Sequence, residues 1–367
     1  MNDVPDGTLL RNLWYLACTA DELKPGTMVH REIAGEPILL ARGRDGKAFA
    51  LRDICPHRGI PLSHGRLYGK GDCVDNQTLT ETQVECCYHG WRFGADGGCR
   101  GIPSLVSEQA VDLDKIRAGR FPLEEKQGLL WLYIPAEGAQ TGPGEAPGQP
   151  VPEIPGVGDR TPGILIRQVF DAEMDQAVVG LIDPAHGPYV HRSRLWRSAA
   201  TMQEKTKAFA RRPLGFVMEA HTPSKNSAIY RTLFGGDITT EIAFSLPGLR
   251  TELIRAPKGA VCGVTAMTPI DGGRTEVRHM FFWTLPWVGL LKPLVNVLGH
   301  RFLGQDRRIV TLQKEGLRYS PRMMLIKDAD TLAQWYFRMK KAWIEAQDSA
   351  SPFDNPVPEQ ATLRWRT

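Results

Sequence analysis

Ile54-Cys55-Pro56-His57-Arg58-Gly59 and Glu85-Cys86-Cys87-Tyr88-His89-Gly90-Trp91 decide how this chain is read. Each segment offers one thiolate and one imidazole, spaced Cys-x-His in the first and Cys-x-x-His in the second. Spacing that short lets one tight loop present both side chains to a metal. Two such loops side by side make a site of four ligands. A structural zinc also takes two cysteines and two histidines. A zinc finger, however, keeps its cysteines together and its histidines together, often with the latter on a helix. The mixed halves here suit a two-iron cluster with both cysteines on one iron and both histidines on the other.

Working outward, the chain carries seven cysteines, five of them between positions 55 and 99. An odd number, clustered and without an export signal, speaks for metal rather than a disulfide framework. Cys18, Cys73, Cys99 and Cys262 read as small hydrophobes or exposed thiols, and Cys87 does not fit the spacing that Cys86 fits. With 367 residues, 42% hydrophobic and 23% charged, the chain is long enough for two ordinary domains, each with a core. A net charge of +4 gives no argument for nucleic acid. The N-terminus lacks a basic region followed by an apolar run, which points to the cytoplasm. The apolar stretch Phe281 to Leu303 is broken by Pro286, Lys292, Pro293 and Asn296, which argues against a membrane span.

The first third reads as β structure, with runs at Glu36–Ala41, Ala48–Leu51 and Leu129–Ile134. From Pro135 to Gly163 the composition turns to Pro, Gly, Glu and Gln, the pattern of a linker. It sets a domain boundary near residue 150, giving domains 1–150 and 151–367. Asp171 to His191 is helix-like, with Met174, Val178, Leu181 and Ile182 at spacings of three and four. Alternating segments follow from about Gly215 to Thr284, then a helical portion from about Leu303 to Ala346. The tail after Asp348 reads as irregular.

A second motif is Gly180-Leu-Ile-Asp183-Pro-Ala-His186-Gly-Pro-Tyr-Val-His191. Two histidines five residues apart, at the end of a helix interrupted by Gly187-Pro188, can converge on one metal. One added carboxylate makes a two-His-one-carboxylate triad, which leaves open positions on one face for dioxygen. Alone, this motif is only moderately specific. Placed after a cluster segment and a linker, it gains weight.

Cys55-Pro-His-Arg-Gly-Ile-Pro-Leu-Ser-His-Gly-Arg-Leu67, followed by Cys87-Tyr-His-Gly-Trp-Arg-Phe-Gly-Ala-Asp-Gly-Gly-Cys99 and Gly101-Ile-Pro103, closely resembles the Rieske non-haem iron oxygenase family. Three departures stand out. The gap between His57 and Cys86 is long, with the stretch from Lys70 to Gln83 expected as a larger surface loop. Cys87 stands where the family usually has proline. The disulfide cysteines of Rieske proteins in cytochrome bc complexes are missing.

The resemblance implies an α+β fold: an N-terminal all-β Rieske domain, then a catalytic domain with an antiparallel sheet flanked by helices, of the helix-grip, START-like kind. It implies that Cys55, His57, Cys86 and His89 bind one [2Fe–2S] cluster and that His186 and His191 bind one mononuclear Fe(II). The third ligand comes from a late helix that Phe302 to Gln313 resembles, which selects Asp306; a solvated aspartate is the bland alternative there. Asp328 and Asp330 are distant candidates in what looks like a turn with a helix N-cap. Asp183 is implied to be no ligand but a carboxylate linking the iron site to a cluster histidine of the neighbouring subunit, here His89. Gly180 replaces the asparagine often found three residues before it.

The two centres together imply an oxygenase that uses O2 and electrons originating in NAD(P)H. No G-x-G-x-x-G or flavin signature is present, so a separate reductase, with or without a ferredoxin, is expected. Arg58, Arg66, Lys70 and Arg92 could meet an acidic donor or simply solvate the domain. The resemblance further implies a head-to-tail homotrimer and a place among the shorter oxygenases that include demethylases and hydroxylases. The segment Phe281 to Leu303 suggests a bulky apolar substrate, aromatic or polycyclic, with core packing or a subunit contact as the alternative use. An electron-transfer protein using the cluster alone, or a zinc-stapled structural protein, are the competing readings.

Overall fold

The computed structural model describes residues 7–106, 108–138, 147–191, 202–223 and 236–367. The chain divides into two compact units, Arg11–Pro152 and a second made of Glu153–Thr367 with the residues before Arg11. Residues 139–146 of the expected linker lie outside the described ones; 147–163 carry no regular structure.

The first unit is built from small antiparallel sheets. Leu129–Ile134, an unbroken buried run, pairs with Leu13–Thr19 on one side and Leu123–Lys126 on the other. Glu36–Arg42 and Ala48–Arg52 form the middle of a second sheet, between Thr27–Ile33 and Arg120–Phe121. The third sheet orders Cys99–Gly101, Arg92–Gly94, Gln83–Glu85 and Arg66–Tyr68. One core joins Leu39, Leu51, Leu62, Val84 and Phe93 to Cys55 and Cys86, so both loop cysteines are anchored in packed apolar side chains. The long insertion is not merely a loop. Cys73–Val74 and Gln77–Thr78 pair as a small hairpin, turned by Asp75 and Asn76 at positive φ.

The second unit is an eight-stranded antiparallel sheet. Its order is Ile164–Phe170, Arg274–Trp283, Gly259–Asp271, Leu249–Ala256, Thr239–Ser245, Gly215–His221, Glu204–Arg212 and Gln360–Arg366. The helices Met174–Ile182, Gly187–Val190, Lys292–Leu317 and Thr331–Asp348 complete it. Phe216 and Phe244, paired across adjacent strands, meet Trp335 and Tyr336 of the last helix. The Asp175 carboxylate is buried where Tyr336 donates to it at 2.6 Å and the Lys340 ammonium at 2.5 Å, which ties the helix leading to His186 to the C-terminal helix.

The tail is where the reading from sequence fails. Gln360–Arg366 is the eighth strand, in full register with Glu204–Arg212. Its alternation buries Leu363 and Trp365 and exposes the residues between. Asn355 fixes the approach by donating to the carbonyls of Arg212 and Gly215. The helical portion also begins earlier than expected, at Lys292, because Pro293 sits in the first turn where its missing N–H costs nothing. Among the described residues no helix is long and apolar enough to cross a membrane.

Candidate metal centres

The two cysteine–histidine loops fold as copies of one turn. The Cys55 N–H donates to the Ile60 carbonyl and the Gly59 N–H returns to the Cys55 carbonyl. The Cys86 N–H donates to the Trp91 carbonyl and the Gly90 N–H to the Cys86 carbonyl. Both glycines hold positive φ, 73° and 70°, which a side chain would strain. This repeated geometry turns the two imidazoles toward each other, with ring centroids 4.7 Å apart. Cys55 and Cys86 are both buried, and their thiols interact. Burial pushes the Cys55 thiol up to about 11, and the Cys86 thiol adds to the rise. Partial desolvation, then His89 and Arg58, hold the His57 imidazole below its usual range. Trp91 stacks flat on His57 at 4.5 Å, and its buried indole Nε1 has no hydrogen-bond partner among the described residues.

Two buried thiols, two facing imidazoles and an orphaned donor fit a [2Fe–2S] group with mixed ligands. Cys87 is exposed. Among the expected basic contacts, Arg58, Arg66 and Lys70 are exposed, but Arg92 is not available to a partner. It is buried and paired with Asp75 of the small hairpin.

In the second unit, helix Met174–Ile182 ends at Asp183, and the chain turns through Pro184 into the short helix Gly187–Val190. That break swings His186 and His191 to one point. Across from them, Asp306 is one of only three buried residues on helix Lys292–Leu317, with Leu303 and Val310. His186 Nε2 lies 3.2 Å from His191 Nε2, and Asp306 Oδ1 lies 3.1 Å from His191 Nε2 and 3.6 Å from His186 Nε2. Ligands at about 2.1 Å that subtend a right angle at a metal stand about 3.0 Å apart, and about 3.4 Å apart at the tetrahedral angle. The observed triangle fits one cation held from one side. The second oxygen of Asp306 is buried with no hydrogen-bond partner among the described residues, as a spare lone pair beside such a cation would be. Asp328 and Asp330 take no part: Asp330 accepts from the Ile326 N–H in the turn before the last helix.

Each imidazole has an outer partner. His191 Nδ1 meets Gln305 Oε1 at 3.0 Å, which directs Nε2 at the centre, and Phe302 stacks on the ring at 3.6 Å. His186 Nδ1 lies 3.6 Å from Asp183 Oδ2, an ion-pair contact rather than a hydrogen bond. Burial alone would lower the His186 pKa, but the Asp183 and Asp306 carboxylates outweigh it and the net shift is upward. Gly180 has a packing role, since a Cβ there would meet Val310 at 3.2 Å. It lets the helix leading to the two histidines approach the helix that carries Asp306. Gln305 and Phe302 were not singled out from sequence. Phe302, four residues before Asp306, shares its helix face, whereas Gln305, one residue before, is turned about 100° from it, so adjacency alone marks neither as an outer partner. Gln305→Leu is expected to weaken metal retention about 10- to 100-fold, read by chelator competition, with the cluster spectrum unchanged.

Residues 13–116 match the Rieske [2Fe-2S] domain family. Across 355 residues, 92% of this chain and 91% of the relative, the sequence is 32% identical to dicamba O-demethylase, oxygenase component, of Stenotrophomonas maltophilia. The chain belongs to the Rieske non-haem iron oxygenase family. Other relatives of this Rieske oxygenase match over half of it: chlorophyllide a oxygenase of Arabidopsis thaliana at 31% and 4beta-methylsterol monooxygenase of Methylococcus capsulatus at 32%. The matched part spans only 30% and 45% of those two proteins. The crystal structure of dicamba monooxygenase bound to dicamba superposes with a TM-score of 0.66 at 21% identity, covering 93% of this chain and 99% of that one. That likeness shows the shared α+β fold. The cofactors of this Rieske oxygenase are one [2Fe–2S] cluster and one mononuclear non-haem iron.

Proposed function

We propose that this chain is the terminal oxygenase component of a multicomponent system. It takes O2, and electrons from NAD(P)H through a separate reductase with or without a ferredoxin, to hydroxylate or oxidatively demethylate an apolar aromatic or polycyclic substrate. The observation that carries this reading is the convergence of His186, His191 and Asp306 in a chain whose first unit has loops presenting two cysteines and two histidines. In this reading Cys55 and Cys86 hold one cluster iron, His57 and His89 the other, and His186, His191 and Asp306 the mononuclear iron. Iron so held supplies the dioxygen chemistry that no side chain provides. An electron carrier alone would have no use for the second centre.

The protein's own groups have separable tasks. Gln305 fixes the tautomer of His191, and the Phe302 ring shields it from water. Asp183 accepts the Ala185 N–H through Oδ1 at 2.6 Å, which leaves Oδ2 toward His186. Its side chain keeps 32% exposure, so a further group can reach it. We assign that place to His89 of a neighbouring copy in a homotrimeric ring, with Asp183 as the connecting carboxylate. Asp183→Asn, which keeps shape and removes charge, is then expected to lower turnover about 10- to 100-fold, with iron and sulfide content unchanged.

The relatives are named as O-demethylases, dioxygenases and monooxygenases, which supports the class of reaction and leaves the bond attacked to the substrate. The segment Phe281 to Leu303 supports the apolar substrate class in part. Leu290 and Val297 are 83% and 70% exposed, so core packing does not account for those two, whereas Phe282, Leu285 and Leu303 of the same segment are buried in the core. The test is oxygen uptake and product formation across a panel of aromatic and polycyclic compounds, driven by a surrogate reductase. Product coupled to oxygen uptake is expected. A preference for small charged acids would overturn the substrate class, and a cluster that cycles electrons while no compound yields product would favour the electron-transfer reading.

A further inference from the structure

The face of the large sheet that meets the helices carries polar residues that no metal uses. Ile166, His279, Thr265 and Arg250 stand opposite one another on four consecutive strands, and cross-strand partners share a face. A Cβ on Gly299, two turns before Asp306 on the ligand helix, would strike Ile166, so this face lies beneath that helix. The next row holds Phe281, Gly263 and Glu252. Built on Gly263, a Cβ would have as its nearest neighbours the Phe281 and His279 rings, at 3.7 and 3.9 Å, and the Glu252 carbonyl. His279, Phe281 and Trp283 are each partly exposed, while Met280 and Phe282 on the opposite face are sealed.

His279 is partly open to solvent, yet burial and then the Arg250 charge depress its pKa to about 4. Gly263, with no side chain beside the His279 and Phe281 rings, leaves a recess along this row. Asp306 is among the charges it senses. Its Nδ1 lies 2.8 Å from the hydroxyl of buried Thr265. Thr265 has no other hydrogen-bond partner among the described residues, and a buried hydroxyl hydrogen left unbonded costs more than a spare lone pair. Thr265 therefore donates to Nδ1, and the proton of the neutral ring sits on Nε2. Phe281 meets the ring edge-on at 4.7 Å and holds its plane. Arg250, the cation that acts most on this ring, is paired with Glu252 at 3.0 Å on the same face, so the recess offers a donor without net charge.

We infer that His279 is a specificity-determining residue whose Nε2–H donates to an acceptor oxygen, such as a ketone carbonyl, on an otherwise apolar ring substrate. The inference rests on the oxygenase reading for the word substrate, but its test reads binding alone. Fluorenone, fluorene and fluorenecarboxylate share one ring system and differ in the group presented. Equilibrium dialysis with the holoenzyme is expected to show fluorenone bound roughly three- to tenfold more tightly than fluorene, and the carboxylate more weakly than fluorenone. In His279→Leu the fluorenone-to-fluorene ratio falls to near one, and in His279→Gln, which keeps a side-chain donor, part of it returns. Equal affinity for the neutral pair, including binding of neither, or a ratio that survives His279→Leu, overturns the inference. Tightest binding of the carboxylate does so as well, and would point to Arg250 as the anchor. Because dialysis involves no turnover, a failure to oxygenate these compounds would count against the reaction and leave the binding result standing.

Discussion

His186→Ala is expected to abolish product formation and to leave the visible spectrum of the cluster intact. The three donor atoms stand 3.1 to 3.6 Å from one another, so each closes one edge of a single small triangle. Removing one leaves a buried carboxylate and one imidazole, a pair too weak to hold a divalent cation against solvent. The loss in turnover is expected to reach roughly 10³-fold or more, beyond the 10- to 100-fold typical of an outer partner. Iron content should fall by about one per chain while sulfide stays constant. The cluster survives because the cysteines and histidines that would hold it lie in a unit with its own core. Asp306→Ala should reproduce the result. Turnover retained by either variant would place the oxygen chemistry elsewhere.

Cys86→Ser has the opposite signature and the larger structural effect. Cys86 is 2% exposed and packs among Leu62, Val84 and Phe93, so the change removes a thiolate ligand and puts a hydroxyl into apolar surroundings. Cluster binding and the folding of this small β unit are coupled, since four ligands from two loops are held at once. The preparation is expected to lose its colour and nearly all acid-labile sulfide, with a lower melting temperature. Cys87→Ser is the control. That side chain is exposed, and its replacement should leave colour and stability unchanged. If Cys87→Ser bleached the protein and Cys86→Ser did not, the ligand register of the second loop would be wrong by one residue.

What the sequence made legible divides by distance along the chain. The cysteine–histidine loops are local, each formed within six residues and closed by one glycine, so spacing alone points to their shape. His186 and His191 are also local, with Gly187-Pro188 marking the break between them. Asp306 was found only through resemblance, because its partner histidines lie far back in the chain and nothing nearby marks it as a ligand. The strand Gln360–Arg366 was read as irregular because Arg364 and Arg366 alternate with Leu363 and Trp365 in a stretch too short to outweigh the Pro and Asp residues before it. Arg92 was read as a surface cation, and burial of an arginine depends on a partner, Asp75, that only the insertion's hairpin brings near. The polar row of Arg250, Thr265 and His279 has no sequence signature at all, since it arises from register across three strands.

The account stands on two unlike iron centres in one polypeptide, and composition of the purified protein tests that most directly. Iron and acid-labile sulfide should be measured on the same sample beside its visible spectrum. About three irons and about two sulfides per chain, in a red-brown preparation, are the predicted result. A colourless protein holding zinc and no sulfide would contradict it.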